Sequence, residues 1–240
     1  MATISTTAVD TRSVRAVTSV AERLHALVDG LPPQDGVSVF GGVYLTATEA
    51  IAANLASGGL FRDPSATARL DLLFADRFFS AFGQRPAPAC WRPLLELRLH
   101  PGILPVQFAL AGMNAHIEHD LPLSVVDTCE LLRCSPAELS VDFHHVNDVL
   151  AQVEDGVREQ LMPSAEESGV TDPLLHLLSS WSIDRARDAA WASAVTLWEL
   201  RDRPHARAAA VSALDDGTGL VSRCLLTPVH GGTQRGSLSR

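Results

Sequence analysis

Gln107-Phe108-Ala109-Leu110-Ala111-Gly112-Met113-Asn114-Ala115-His116-Ile117-Glu118-His119-Asp120 lies just after Pro105 and carries no formal charge before Glu118. A helix that is apolar all the way round belongs in the centre of a domain rather than on its surface. The last turn of this one presents two imidazoles and a carboxylate. At roughly 100° per residue, His119 falls near the face of Phe108, Ala111, Gly112 and Ala115, with His116 and Asp120 flanking it. Burying such groups is costly unless each finds a partner or a metal.

Working outward, the chain reads as helix after helix. Val14, Val17, Ala21, Leu24 and Val28 give a 3.6-residue period closed by Gly30 and Pro32-Pro33. Phe40, Val43, Tyr44, Ala47, Ile51 and Leu55 give a second, closed by Gly58-Gly59. Asp63-Pro64 is a cap followed by proline at the first helical position, opening a third helix through Leu70, Phe74 and Phe78. A short helix holds Leu94 to Glu96, the central helix follows, and Pro122 is expected to end or kink it. Ser135-Pro136-Ala137-Glu138 is a capping box for a helix to about Leu161. Asp172-Pro173 opens another, and Ser182-Ile183-Asp184 starts a long one that Pro204 stops. The fold expected is all-α: a single-domain multi-helix bundle around a central buried helix, over residues 11–228. Residues 1–10 and 229–240 are polar and expected to be disordered.

Composition narrows the function. The chain of 240 residues has a formal charge of −9, which argues against nucleic acid as a partner. Lysine is absent, excluding a Schiff-base lysine and a Walker-type phosphate loop. Four cysteines without paired metal-ligand spacing, no secretory pattern at the N-terminus and no uninterrupted apolar run of span length suggest a cytoplasmic protein with reduced thiols and no membrane span.

Several polar groups fall on faces that should be apolar. Arg77 lies in the stripe of Leu70, Leu73, Phe74 and Ala81, and Arg187 among Ala190, Trp191, Ala194 and Trp198. Asn54 lies on the Phe40–Ile51 face, and Asn147 and Glu154 share one edge of the Phe143–Val157 stripe. The arginines are expected to pair with Asp71, Glu96, Asp120 or Glu154. With His116, His119 and Asp120, four or five helices contribute a polar group to one interior.

The reading that follows is a metal-assisted enzyme, a lyase or hydrolase of small-molecule, secondary metabolism, acting on a largely apolar metabolite with an anionic group. His116, His119 and Asp120 are the expected ligands or acid/base groups, completed or faced by Asn147 and Glu154. Imidazole with carboxylate suits zinc, iron or manganese. Arg77 or Arg187 would bind the anion; Phe74, Trp191 and Trp198, with Asn54 and Asn147, would line the pocket. Asn147-Asp148-x-x-Ala151-x-x-Glu154 also resembles, imperfectly, the magnesium motif of class I terpene cyclases, which act on isoprenoid diphosphates. There Asp71 and Asp76 would form the facing acidic helix; the serine position is Ala151 and the glutamate is one residue early. The competing class is a non-catalytic helical ligand-binding protein or homodimer in which the polar groups close into a structural network.

Phe40-Gly41-Gly42-Val43-Tyr44-Leu45, Cys90-Trp91-Arg92-Pro93-Leu94, the central stretch and His119-Asp120-Leu121-Pro122 together resemble a family of bacterial helical proteins catalogued only as a domain of unknown function. The resemblance covers about residues 37–226 and centres on Asn-Ala-His-Ile-x-His-Asp-Leu-Pro. It implies one helical domain, with His116, His119 and Asp120 as the matching set and Glu118 peripheral, and it supplies no activity.

Overall fold

The structure, a computed structural model, describes residues 10–84, 86–161 and 182–228. The expected helix start at Asp172-Pro173 and the two tails lie outside the described residues, save Asp10 at the N-terminal end. Among the described residues the elements are α1 (Thr11–Asp29), α2 (Gly36–Ser57), α3 (Pro64–Gly83), α4 (Arg92–Leu97), α5 (Pro105–Met113), a π-helical segment (Asn114–Asp120), α6 (Leu121–Leu132), α7 (Pro136–Leu161), α8 (Ile183–Glu199) and α9 (Pro204–Leu225). The protein is all-α, as its periodicity predicts.

Local chemistry sets the helix starts. The Asp63 carboxylate accepts from the backbone N–H groups of Ser65 and Ala66, both at 3.0 Å. The Glu138 carboxylate accepts from the Ser135 backbone at 2.8 Å, half of the predicted capping box. Ser182 caps α8 through the Arg185 N–H. Pro204 stops one helix, as expected, but it is also the first residue of another, α9, which the periodicity did not mark.

The chain from Pro105 to Leu132 is continuously helical and runs through the middle of the bundle. Pro122 therefore does not end the helix. It sits in the first turn of α6, just after the wide π turn in which Leu121 N–H donates to the His116 carbonyl. In an α-helix the Pro122 ring would strike the Glu118 carbonyl and leave it without a donor; widening the turn relieves that clash. α2, α3, α7, α8 and α9 pack around this central rod, and α1 covers α2 and α3. Phe40, Phe78, Trp91 and Phe108 are fully buried where α2, α3, α4 and α5 meet.

Two side-chain amides, a buried one on Gln107 and a half-buried one on Asn114, fasten α9 to the rod. Gln107 donates to the carbonyls of Leu225 at 2.8 Å and Thr227 at 2.7 Å, and Asn114 donates to the Thr218 carbonyl at 3.0 Å. α2 is long and apolar enough to cross a membrane by length and composition, although Thr46, Thr48, Glu49 and Asn54 interrupt its apolar residues. Half of its most apolar window is buried inside the fold.

Close approach of backbones yields a test. A Cβ on Gly219 would lie 2.5 Å from the Ala89 carbonyl oxygen, whereas one on Gly217 would meet nothing within 4 Å. Gly219→Ala is expected to destabilise the protein by about 1–3 kcal/mol through overpacking. Gly217→Ala should leave stability unchanged or raise it by up to about 1 kcal/mol. Parallel thermal unfolding of the two variants checks the contrast.

Candidate functional site

The π segment carries the whole ionisable turn. Asp120 is 2% exposed, and its carboxylate is the hub. Oδ2 accepts from Trp91 Nε1 at 3.0 Å and from His116 Nδ1 at 3.1 Å; Oδ1 accepts from His119 Nδ1 at 2.8 Å. Burial alone would raise the Asp120 carboxyl, but the hydrogen bonds from His116 and His119 outweigh it and hold the group below the usual carboxylate range. Burial lowers the His116 imidazole despite Asp120, so the ring is neutral at pH 7. An ionised carboxylate only accepts, so the proton of His116 sits on Nδ1 and Nε2 carries a free lone pair.

His116 faces a central cavity of about 90 Å³ between α2, α3, the π segment, α7 and α8. Its wall is largely apolar, with Phe40, Ile51, Leu70 and Phe74 among the lining residues. The Phe74 ring stacks on the His116 ring, centroids 3.5 Å apart and planes 7° from parallel. Three residues of this wall, Tyr44, Asp71 and His116, hold a buried polar atom with no hydrogen-bond partner among the described residues: the Tyr44 hydroxyl, Asp71 Oδ2 and His116 Nε2. Burial pushes the Asp71 carboxyl up to about 7. Burial, reinforced by Asp71 and Asp120, raises the Tyr44 phenol well above its ordinary value, so it stays a donor.

His119 and Asp120 face the other way, into an open cleft of about 970 Å³ bordered by Arg77, Arg92, Arg207 and Asp215. His119 Nε2 stands 3.8 Å from Asp215 Oδ1, beyond hydrogen-bond reach. The Asp215 carboxylate accepts from the backbone N–H groups of Ala89 and Cys90, each at 2.9 Å. Burial works against that charge, but the two N–H bonds leave the carboxyl below its ordinary value. Cys90 is fully buried beside it.

The structure therefore brings His116, His119 and Asp120 together but divides them between two chambers; of the other expected residues, Arg187 and Phe74 line the cavity, Arg77 borders the cleft, and Asn54, Trp191 and Trp198 lie away from both. Arg77 borders the cleft and pairs with Asp127, not with Asp71, Glu96, Asp120 or Glu154. Arg187 lines the cavity, donates to the Phe143 carbonyl at 2.8 Å and to Asn147, and lies 4.2 Å over the Phe143 ring. Burial lowers it to about 10, against the pull of Asp184 and Asp188. Asn147 donates in turn to Asp184 at 2.6 Å. Asn54 donates to the Ala50 carbonyl of its own helix, away from the cavity lining. Phe74 lines the cavity, whereas Trp191 packs against Phe143 and Trp198 lies beneath the Arg201 guanidinium. Glu154 is in α7, with its side chain outside the described residues. Of the acidic pair in the terpene-cyclase comparison, Asp71 lines the cavity and Asp76 pairs on the surface with Arg23 at 2.9 Å.

Tyr44, Cys90, Trp91 and Asp215 were missed as site residues. Tyr44 is the chain's single tyrosine, and its hydroxyl on an otherwise apolar stripe was the available signal. Asp215 rides on α9, whose start at Pro204 was legible as a first-turn proline.

The Asp71 carboxyl makes a pH-dependent prediction. Its pKa rises from an ordinary 3.8 to about 7 on folding, so between those values the folded state holds a proton that the unfolded state has released. The contribution of this group to stability is greatest below pH 4, falls as pH rises to 7, and is flat above. The loss is on the order of 4 kcal/mol. Asp71→Asn removes it: the variant should be several kcal/mol more stable than the parent at pH 8, with the gap closing near pH 4. Chemical denaturation of both proteins across that range measures the difference.

No curated protein matches the chain, and no solved structure matches it. Residues 17–228 match the family of unknown function DUF5995, a stretch that contains every cavity and cleft residue named above. The chain belongs to that family of unknown function.

Proposed function

We propose that the protein is an enzyme of small-molecule metabolism that moves a proton on a largely apolar substrate held in the central cavity. The observation that carries this reading is the set of three unpartnered polar atoms, on Tyr44, Asp71 and His116, in a wall that is otherwise apolar. None is hydrogen-bonded to another, so each is left to a partner that a bound molecule would supply. A buried polar atom without a partner costs about 1–3 kcal/mol, and a bound molecule that satisfies it recovers that cost.

The roles follow from protonation. His116 Nε2, backed by Asp120 on the far side of the ring, is the base. The Tyr44 hydroxyl and the protonated Asp71 carboxyl are donors, suited to a carbonyl oxygen that gains negative charge when a neighbouring C–H is deprotonated. The reaction class is thus proton abstraction beside a carbonyl, leading to isomerisation or elimination. Arg187 is the wall's cation and the partner for an anionic group on the substrate. By volume the cavity takes a compact molecule; anything longer must displace a side chain such as Phe74.

Hydrogen exchange tests the reading with simple ketones in place of the natural substrate. Small branched and cyclic ketones, with and without a carboxylate, are incubated with the protein in D2O, and exchange of the C–H beside the carbonyl is followed by NMR. The parent should catalyse exchange, and His116→Gln should slow it by roughly 100- to 10,000-fold. Tyr44→Phe should slow it by roughly 100-fold or more. Exchange that persists in His116→Gln would sink the assignment of the base. Binding without exchange would make the protein a carrier, the non-catalytic reading.

A further inference from the structure

Cys90, His119 and Asp120 each offer one ligand atom, and the three atoms lie within 4.8 Å of one another. All three residues are buried, yet His119 and Asp120 border the open cleft. We propose that these three side chains form a transition-metal site, with zinc or iron as the ion and its remaining position open to the cleft. The site lies outside the cavity and stands whether or not the cavity chemistry is as described above.

The donor set selects the ion. A thiolate and an imidazole are poor partners for magnesium or calcium and good ones for zinc or iron(II). Three protein ligands with one open position is the arrangement of metal sites that bind water or substrate. Cys90 lies beside Asp120 and Asp215. A divalent cation would take the place of the thiol proton and compensate the thiolate and Asp120.

The surroundings are those of a ligand shell. Asp120 would bind through Oδ1 while Oδ2 remains held by Trp91 and His116. His119 would bind through Nδ1, leaving Nε2–H to face Asp215 Oδ1, 3.8 Å away. Metal-bound imidazoles commonly direct their second nitrogen at a carboxylate in this way. His119 Nδ1 and Asp120 Oδ1 are 2.8 Å apart as a hydrogen-bonded pair. They would separate by about half an ångström to share a tetrahedral ion at roughly 2.0–2.1 Å from each, with the Cys90 sulfur closing on the same point. Of the residues that spacing along the sequence put forward as ligands, His119 and Asp120 belong to this set. His116 Nε2 is left to the cavity, and Cys90 comes from a different segment.

The experiment is metal titration of the full-length chain after chelator treatment. Zinc should bind at one equivalent. The cobalt(II) form should show a thiolate-to-metal charge-transfer band in the near ultraviolet. Cys90→Ser should abolish that band, and His119→Gln should weaken zinc binding by more than about 100-fold, since even outer partners of metal ligands cost 10- to 100-fold. Replacing Cys134 and Cys224 by serine should leave the band in place, which keeps the test decisive if Cys90→Ser does not fold. No band in the parent, a band that survives in folded Cys90→Ser, or its loss with Cys134 and Cys224 would overturn the site. In that case His119 and Asp120 form a hydrogen-bonded pair and nothing more.

Discussion

A single carboxylate, that of Asp120, organises the centre of this protein. It is buried, charged and satisfied by three donors from two parts of the chain: the Trp91 indole and the imidazoles of His116 and His119. Stripping partners from a buried charge costs on the order of 3–5 kcal/mol, so the Trp91 segment and the central rod are locked in one register. The two oxygens also divide the labour. Oδ2 fixes the ring that faces the cavity, and Oδ1 fixes the ring that borders the cleft. Whatever binds in one chamber is therefore one carboxylate away from the other.

The π segment makes this division possible. In an α-turn, residues three apart stay close on one surface, which is how a shared ligand set for His116 and His119 arises from spacing alone. The wider turn spreads them, and its position just before Pro122 has a steric cause in the proline ring. Such local widenings within helices occur frequently at functional sites. Here the widened turn coincides with the buried ionisable groups of the rod.

Much of the fold was legible because helix starts are local events. Asp63-Pro64, Ser135 with Glu138, and Ser182 satisfy backbone N–H groups within a few residues, so a short stretch of sequence reveals them. α9 escaped because its inward face is built of small residues, with Thr218, Gly219 and Ser222 buried and Leu220 exposed. No apolar stripe announces such a helix. The π turn escaped for a related reason: residues 107–117 are largely apolar on every side, so no periodicity exists there from which a change of pitch could be read. The long polar side chains were misassigned among partners because Arg77 and Arg187 each had several carboxylates in plausible reach, and packing chose Asp127 for one and Asn147 with a backbone carbonyl for the other.

By itself the sequence determined an all-helical chain wrapped around one buried helix with an ionisable turn, since both follow from hydrophobic pattern and neighbouring residues. Only the tertiary structure decided what that turn faces. The indole that completes Asp120 comes from 29 residues earlier in the chain, and the carboxylate opposite His119 comes from a helix near the far end. Tyr44 and Asp71 reach the cavity from two further helices. Hydrogen bonds over such separations depend on how helices pack. A two-chamber site with Asp120 between its halves is therefore a property of the assembled bundle, not of any stretch within it.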